Sequence, residues 1–456
     1  IIVAGYNTTP VDVKPVETKY RRIRTKLPVP ESLEIIEKLK KSEPQSMQGQ
    51  PPIIWDKAEG FNVYDKWGNK WLDFSAGVLI TNAGHNHPKI KAALLKKIEQ
   101  GLLSTYVFMH EDRALLTDKL AKLSPAGLDK VFLLTTGSEA IENAIKLCKT
   151  YGIKKGGPEK TVFVTFTNAF HGRTMGSQLA GGIPSLKTWM PRLDPSFIQV
   201  PFPDDYLVKD ISFDLFTKTL KERGVNPKHV CGVMTESYQG RGPFFLPKEY
   251  AQKLRKWCTE NEALLVMDEV QAGFGRSGKF FSFEHYEVVP DFIVCGKGIS
   301  SSLPISAVIG RKEVMDLYPP GSMTSTHSAS PLPVAAALAN LEVLIEENLT
   351  ENAAKLGPIL KERLERIGAK YKSRVGKVLS YGLVAGVLII KEGTLEPDGE
   401  LALQINEACM QRGLLMFAPV GTGGGCIKIA PSLTITKEAL EDGLNVLDEA
   451  FAQILG

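Results

Sequence analysis

The stretch LLVMDEVQAGFGRSGKFFSFEHYEVVPDFIVCGKGI (residues 264–299) holds two short apolar runs, Leu264–Met267 and Phe292–Cys295, each followed by an unusual charged residue. Runs of about four to six apolar residues are too short for core helices and read as strands buried on both faces, as in a parallel sheet. Val131–Leu134, Thr161–Phe166 and Val230–Met234 are further runs of this kind, with helical stretches between them. From His87 to about Ser330 the alternation predicts a doubly wound α/β domain with a mostly parallel sheet. In such sheets ligands bind where strands end and helices begin, so the residues that close these runs are candidate functional groups.

Around this domain the chain changes character. Its 456 residues call for two or three domains. We expect an N-terminal arm and small-domain segment over 1–86, a large domain over 87–332 and a C-terminal small domain over 333–456. The two terminal segments would form a smaller α+β domain. Residues 1–50 are polar and proline-bearing, an extended arm with one short helix at Pro30–Lys41. Ile53–Gly77 alternates apolar and polar residues and is broken at Gly60 and Gly68–Asn69, as in an antiparallel meander. After Pro331 a helical pattern covers Val334–Asn348.

Hydrophobic residues make up 43% and charged residues 23%, with a net charge of +4 and no basic face. Nucleic acid is therefore not an expected partner. The six cysteines show no CxxC spacing, which argues against zinc or disulfides and suits a reducing, cytoplasmic setting. No apolar stretch approaches the roughly 20 residues that span a bilayer. The opening IIVAGYNTTPVDVKP lacks the basic start and long apolar run of a signal peptide.

Four strand ends carry chemistry. Lys297 stands between Gly296 and Gly298 after an apolar strand. A desolvated lysine has a lowered pKa and becomes an amine nucleophile toward an aldehyde; the bland alternative is a solvent-exposed loop lysine. Asp268 closes another strand, where a buried carboxylate needs a cationic or hydrogen-bonding partner. It can hold a pyridinium nitrogen protonated, with Val270 packed on the ring and Gln271 at its phenolic oxygen. A plain helix N-cap is the competing reading. In Val131–Ala144 a strand runs into Gly137-Ser138 and an amphipathic helix, whose free N–H groups and dipole make an anion site. In Thr165–Thr174, Phe170 can stack on a flat heterocycle and Arg173 offers a fork for a carboxylate. His171 beside them reads equally as a packed, hydrogen-bonded histidine.

Taken together, these motifs resemble the class III, or ornithine/4-aminobutyrate, aminotransferase family of fold-type I pyridoxal-phosphate enzymes. The likeness runs from about Pro51 to Leu447. Asp268–Ile299 is close to the family signature, and NAFHGRTMGS, TTGSEAIENAIKLC and NAGHNHPKI (Asn82–Ile90) add to it. The resemblance implies pyridoxal 5'-phosphate as cofactor, Lys297 as its Schiff-base lysine and Asp268 as the partner of its pyridine nitrogen. Phe170 and Val270 would flank the ring, His171 and Gln271 would join the cofactor site, and Gly137 and Ser138 would hold the phosphate. Thr326 would complete a neighbouring subunit's phosphate site, which implies a homodimer or a dimer of dimers.

The substrate side departs from the family pattern. Members that use 2-oxoglutarate commonly carry an arginine where this chain has Lys428, and an acid where it has Arg241. Lysine lacks the bidentate fork, so pyruvate is the expected acceptor over 2-oxoglutarate. Two facing cations would be costly. We therefore expect Arg241 to turn to solvent and Lys428 to be neutralised by another acid such as Glu236. The leading expectation is transfer of an amino group from an ω-amino acid or primary amine to a 2-oxo acid. A racemase or epimerase of the same family is the alternative, using the same lysine. A non-catalytic binding module leaves Lys297 and Asp268 without a purpose. A nucleotide-dependent oxidoreductase lacks a strand followed by GxGxxG.

Overall fold

A computed structural model describes residues 5–456, so Ile1–Ala4 of the expected arm lie outside the described residues. The described chain divides into two units, one of residues 88–275 and 279–348, the other of 5–87, 276–278 and 349–456.

The larger unit is built on a seven-stranded sheet of β1 (Lys130–Leu134), β2 (Val162–Phe166), β3 (Phe197–Val200), β4 (Val230–Glu236), β5 (Leu264–Asp268), β6 (Phe292–Cys295) and β7 (Ser306–Gly310). Their order is β1-β7-β6-β5-β4-β2-β3. Only β7 runs against its neighbours, pairing antiparallel with β6 and β1. β4, β5 and β6 are buried along their whole length, as runs such as LLVM and FIVC require of central strands. Helix α1 (Gly137–Gly156) lays Ala140, Ile141, Ala144, Ile145 and Cys148 into the same core as Phe163, Met234, Val266 and Val294. Two strands were not anticipated. β3 is a half-buried edge strand and β7 is a short antiparallel insert, so neither carries a long apolar run.

The expected boundary at 332/333 falls inside helix Pro331–Glu346, which belongs to the larger unit. That helix is tied there by Asn340, whose side-chain amide donates to the Gly298 and Ile299 carbonyls at 2.9 Å. An anchor on the lysine-bearing loop outweighs a boundary drawn from a change in pattern.

The smaller unit joins both ends of the chain. Lys57–Glu59, Asn62–Tyr64 and Lys70–Asp73 form the antiparallel meander, extended by short strands from residues 16–23 and by Leu414–Leu415. A second antiparallel sheet holds Val375–Tyr381, Val384–Ile389 and Cys426–Ile429. The arm helix runs Leu33–Ser42 after a 3-10 turn at Pro30–Ser32. Among the described residues no helix is long and apolar enough to cross a membrane.

Candidate active site

The carboxyl ends of the parallel strands meet at one cavity of about 180 Å³ in the larger unit. Strand register explains the convergence: Asp268 pairs with Glu236 on one side and Val294 on the other, so β4, β5 and β6 end side by side. Gly137, Ser138, Phe170, His171, Glu236, Asp268, Val270, Gln271 and Lys297 all line the cavity, with Thr136, Gly172 and Tyr238.

Lys297 follows β6 with φ +41°, a left-handed conformation that non-glycine residues rarely adopt. Such backbone is tolerated where the surroundings over-determine it, commonly at functional sites. Burial lowers the pKa of its amine, against the opposing pull of Asp268 and Glu236. The amine is thereby moved toward the neutral, nucleophilic form.

Asp268 divides its oxygens. Oδ1 accepts the Val270 N–H at 3.0 Å, and Oδ2 lies 2.7 Å from His171 Nδ1. No helix starts at Asp268, so the N-cap reading fails: one oxygen closes a turn on the Val270 amide and the other pairs with His171. Burial opposes a charge on His171, but the hydrogen bond to Asp268 and its attraction outweigh that, and the net pKa is raised. The other ring nitrogen, Nε2, is buried without a hydrogen-bond partner.

Helix α1 starts at the cavity with Thr136 as N-cap. The Thr136 hydroxyl accepts the Glu139 N–H, while the Glu139 carboxylate accepts the Thr136 N–H in return. The reciprocal cap leaves the first-turn amides of Gly137 and Ser138 without intrahelical acceptors, as at any helix start. A methyl at Gly137 would meet Val270 Cγ1 at 2.8 Å, so glycine is needed for Val270 to close on the helix. At Gly172, with φ +135°, it would meet Ser138 Oγ at 2.3 Å. Ser138 Oγ also accepts the Arg173 N–H at 3.3 Å.

The remaining expected residues are distributed differently. Arg173 is exposed, with its guanidinium 5.6 Å from the Phe170 ring centroid, and is not part of the cavity wall. Thr326 is exposed in the loop before helix Pro331–Glu346 and does not line this cavity. Lys428 is buried in the smaller unit, on strand Cys426–Ile429 opposite Gly386.

Arg241 does not turn to solvent. Its Nη2 donates to Asp204 Oδ2 at 2.5 Å, its Nε donates to Gln239 Oε1 at 2.7 Å, and its guanidinium packs 4.2 Å from the Phe244 ring centroid. The pair is almost fully buried, and Asp204, on the loop after β3, is further satisfied there by the Tyr206, Leu207 and Val208 amides. Glu236 likewise gives both its oxygens to backbone donors of its own unit, the Phe170 and Gly240 amides. The sequence reading missed the His171–Asp268 and Arg241–Asp204 pairs, and with them Tyr238.

A family model described as "Aminotransferase class-III" matches residues 45–451. A probable 4-aminobutyrate aminotransferase of Bacillus subtilis is 33% identical over 405 residues, covering 86% of this chain and 91% of the relative. An alanine/serine racemase of Pyrococcus horikoshii is 32% identical over 464 residues, covering 98% and 96%. The solved structure of a thermostable (S)-enantioselective omega-transaminase from Thermomicrobium roseum superposes with a TM-score of 0.85 at 27% identity, covering 93% and 99%. The chain belongs to the class-III aminotransferase family, and its fold is that of the fold-type I pyridoxal-phosphate enzymes. It is a pyridoxal-phosphate-dependent transaminase.

The cavity fits that cofactor. It offers a helix start for an anion, a desolvated amine, a buried carboxylate backed by histidine, and apolar surface from Phe170 and Val270.

Proposed function

We propose that the enzyme moves an amino group from an ω-amino acid or a primary amine to a 2-oxo acid, with pyruvate preferred over 2-oxoglutarate. The convergence of Lys297, Asp268 and the start of α1 on one cavity carries the reading of the site. When bound, pyridoxal phosphate supplies an aldehyde that joins an amine and a ring that delocalises the electron pair left at Cα. Lys297, its amine moved toward the neutral form by burial, would be the base that carries the proton released at Cα. Asp268 holds the proton on the pyridine nitrogen, and His171 keeps Asp268 oriented through their 2.7 Å contact. The Gly137 and Ser138 amides and the Ser138 hydroxyl bind the phosphate. Phe170 and Val270 would flank the ring, and Gln271 would hold the phenolic oxygen.

Arg173 takes the far carboxylate of an ω-amino acid, its exposed guanidinium standing beside the ring of Phe170, which lines the cavity. The preference for pyruvate rests on Lys428, a point charge at the position where a forked arginine would grip a diacid. A second copy of the chain supplies Thr326. Phe108 and Met109, 75% and 95% exposed at the end of the apolar stretch Tyr106–Met109, favour a homodimer that covers them. Return of the proton to Cα would instead give racemisation, a reading favoured by the likeness to the racemase. A donor and acceptor screen scored by chiral chromatography tests both. New keto acid with no inversion of the donor supports transamination, and loss of optical purity without keto acid refutes it.

A further inference from the structure

Glu236 ends β4 beside Asp268 and lines the cavity, yet the reaction as laid out gives it no task. Two loops meet on its carboxylate. Oε2 accepts the Phe170 N–H at 3.0 Å, and Oε1 accepts the Gly240 N–H at 2.7 Å. The first donor belongs to the aromatic residue of the cavity wall, the second to the turn that follows β4. The turn lies tight against the acid, since a methyl at Gly240 would come within 3.2 Å of Oε1 and 3.1 Å of Gln271 Nε2. A second strut spans the same loops: Gln239 Nε2 donates to the Thr167 carbonyl at 2.8 Å, and Arg241 fixes Gln239 from behind. Of these two struts, Glu236 is the one that holds Phe170 itself.

We propose that Glu236 is a positioning residue for transamination, setting the Phe170 ring against the cofactor by holding the Phe170 and Gly240 amides at once. The proposal rests on reading the cavity as the cofactor site. A carboxylate accepts two separate N–H groups with its two oxygens. A carboxylic acid or an amide turns one end into a donor, which would face another donor. Burial pushes Glu236 up to about 7; His171 opposes the rise, Asp268 adds to it, and the two amides oppose it. The charged groups facing it are His171, Asp268 and Lys297. The ionised fraction therefore grows as pH rises through about 7, and the two-amide hold weakens as pH falls through it.

The test uses the holoenzyme and its reaction with an amine donor, followed as kcat and KM from pH 5.5 to 9. Wild type, Glu236→Gln, Phe170→Ala and the double variant are compared, with thermal unfolding and the visible absorbance of the cofactor recorded on the same samples. Glu236→Gln is expected to lower the kcat plateau about tenfold, as for loss of a hydrogen bond to a charged group. It should also abolish the acidic limb near pH 7, and it should add little in the Phe170→Ala background. A plateau within about twofold with the acidic limb intact, or losses that multiply in the double variant, would overturn the proposal. If Glu236→Gln does not fold, Gly240→Ala decides in its place. A drop in kcat that vanishes in the Phe170→Ala background supports the proposal, and an unchanged kcat overturns it. A wild type without cofactor absorbance would refute the reading of the cavity itself, and the proposal with it.

Discussion

Replacing Arg241 with methionine separates a structural cation from a substrate cation. Arg241 and Asp204 have side chains only 7% and 1% exposed, so water screens little of their interaction. Removing one partner of a buried pair typically costs about 3–5 kcal/mol, because the other charge stays buried. Asp204 would keep its three amide donors at 2.8–2.9 Å, which places the loss at the lower end, about 3 kcal/mol. Methionine fills much of the space over Phe244, so little cavity energy adds to this. Removing both charges with Asp204→Asn in the same chain should recover part of the loss. Burial alone would raise the Asp204 carboxyl, but the Val208 amide, Arg241 and the Tyr206 amide outweigh it and hold the group low. Its contribution is thus present above the ordinary carboxylate range of about 4 and is lost as pH falls through the depressed value. Urea unfolding of cofactor-saturated protein reads the effect as a shift in midpoint at constant slope. Stability within about 0.5 kcal/mol of wild type, the usual range for harmless surface changes, would refute the reasoning if it came with a tenfold rise in KM for a carboxylate substrate.

Three further outcomes follow from the site. Asp268→Asn should still bind the cofactor but lose turnover by roughly several kcal/mol of transition-state stabilisation, since an amide cannot hold the pyridinium proton; single-turnover absorbance changes within about threefold of wild type would reduce Asp268 to a structural turn residue. Arg173→Ala should weaken an ω-amino acid by about 2–5 kcal/mol in kcat/KM while sparing a neutral arylalkyl amine, and equal losses on both would mean that Arg173 is structural. For Lys428, kcat/KM should favour pyruvate in wild type and move toward 2-oxoglutarate in Lys428→Arg. A wild-type preference for 2-oxoglutarate of about tenfold, erased in Lys428→Met, would make the lysine a working carboxylate clamp.

The central strands were legible because each is an unbroken apolar run, and a strand buried on both faces leaves no room for polar residues. Phe197–Val200 was not, because an edge strand is only half-buried and tolerates Gln199. Lys297, Asp268 and Phe170 stood out as charged or aromatic residues closing apolar strands. Their partners did not. His171 meets Asp268 across 97 positions and Arg241 meets Asp204 across 37, and nothing local marks either pairing. Lacking Asp204, the reading sent Arg241 to solvent by weighing one cation against another, although burial with an acid answers the same electrostatic penalty. The 332/333 boundary failed for a similar reason, since Asn340 gives no sign in sequence that it holds the Lys297 loop.

The central claim is that Lys297 is the amine that carries the cofactor. Its left-handed backbone, its place at the end of β6 and its lowered pKa all concern one side chain in one cavity. Reducing the holoenzyme with borohydride, digesting it and locating the pyridoxyl mass by peptide sequencing tests this directly. The account predicts the mark on Lys297 alone, with no mark and no turnover in Lys297→Ala. A mark on another lysine in Lys297→Ala, with activity retained, would contradict it.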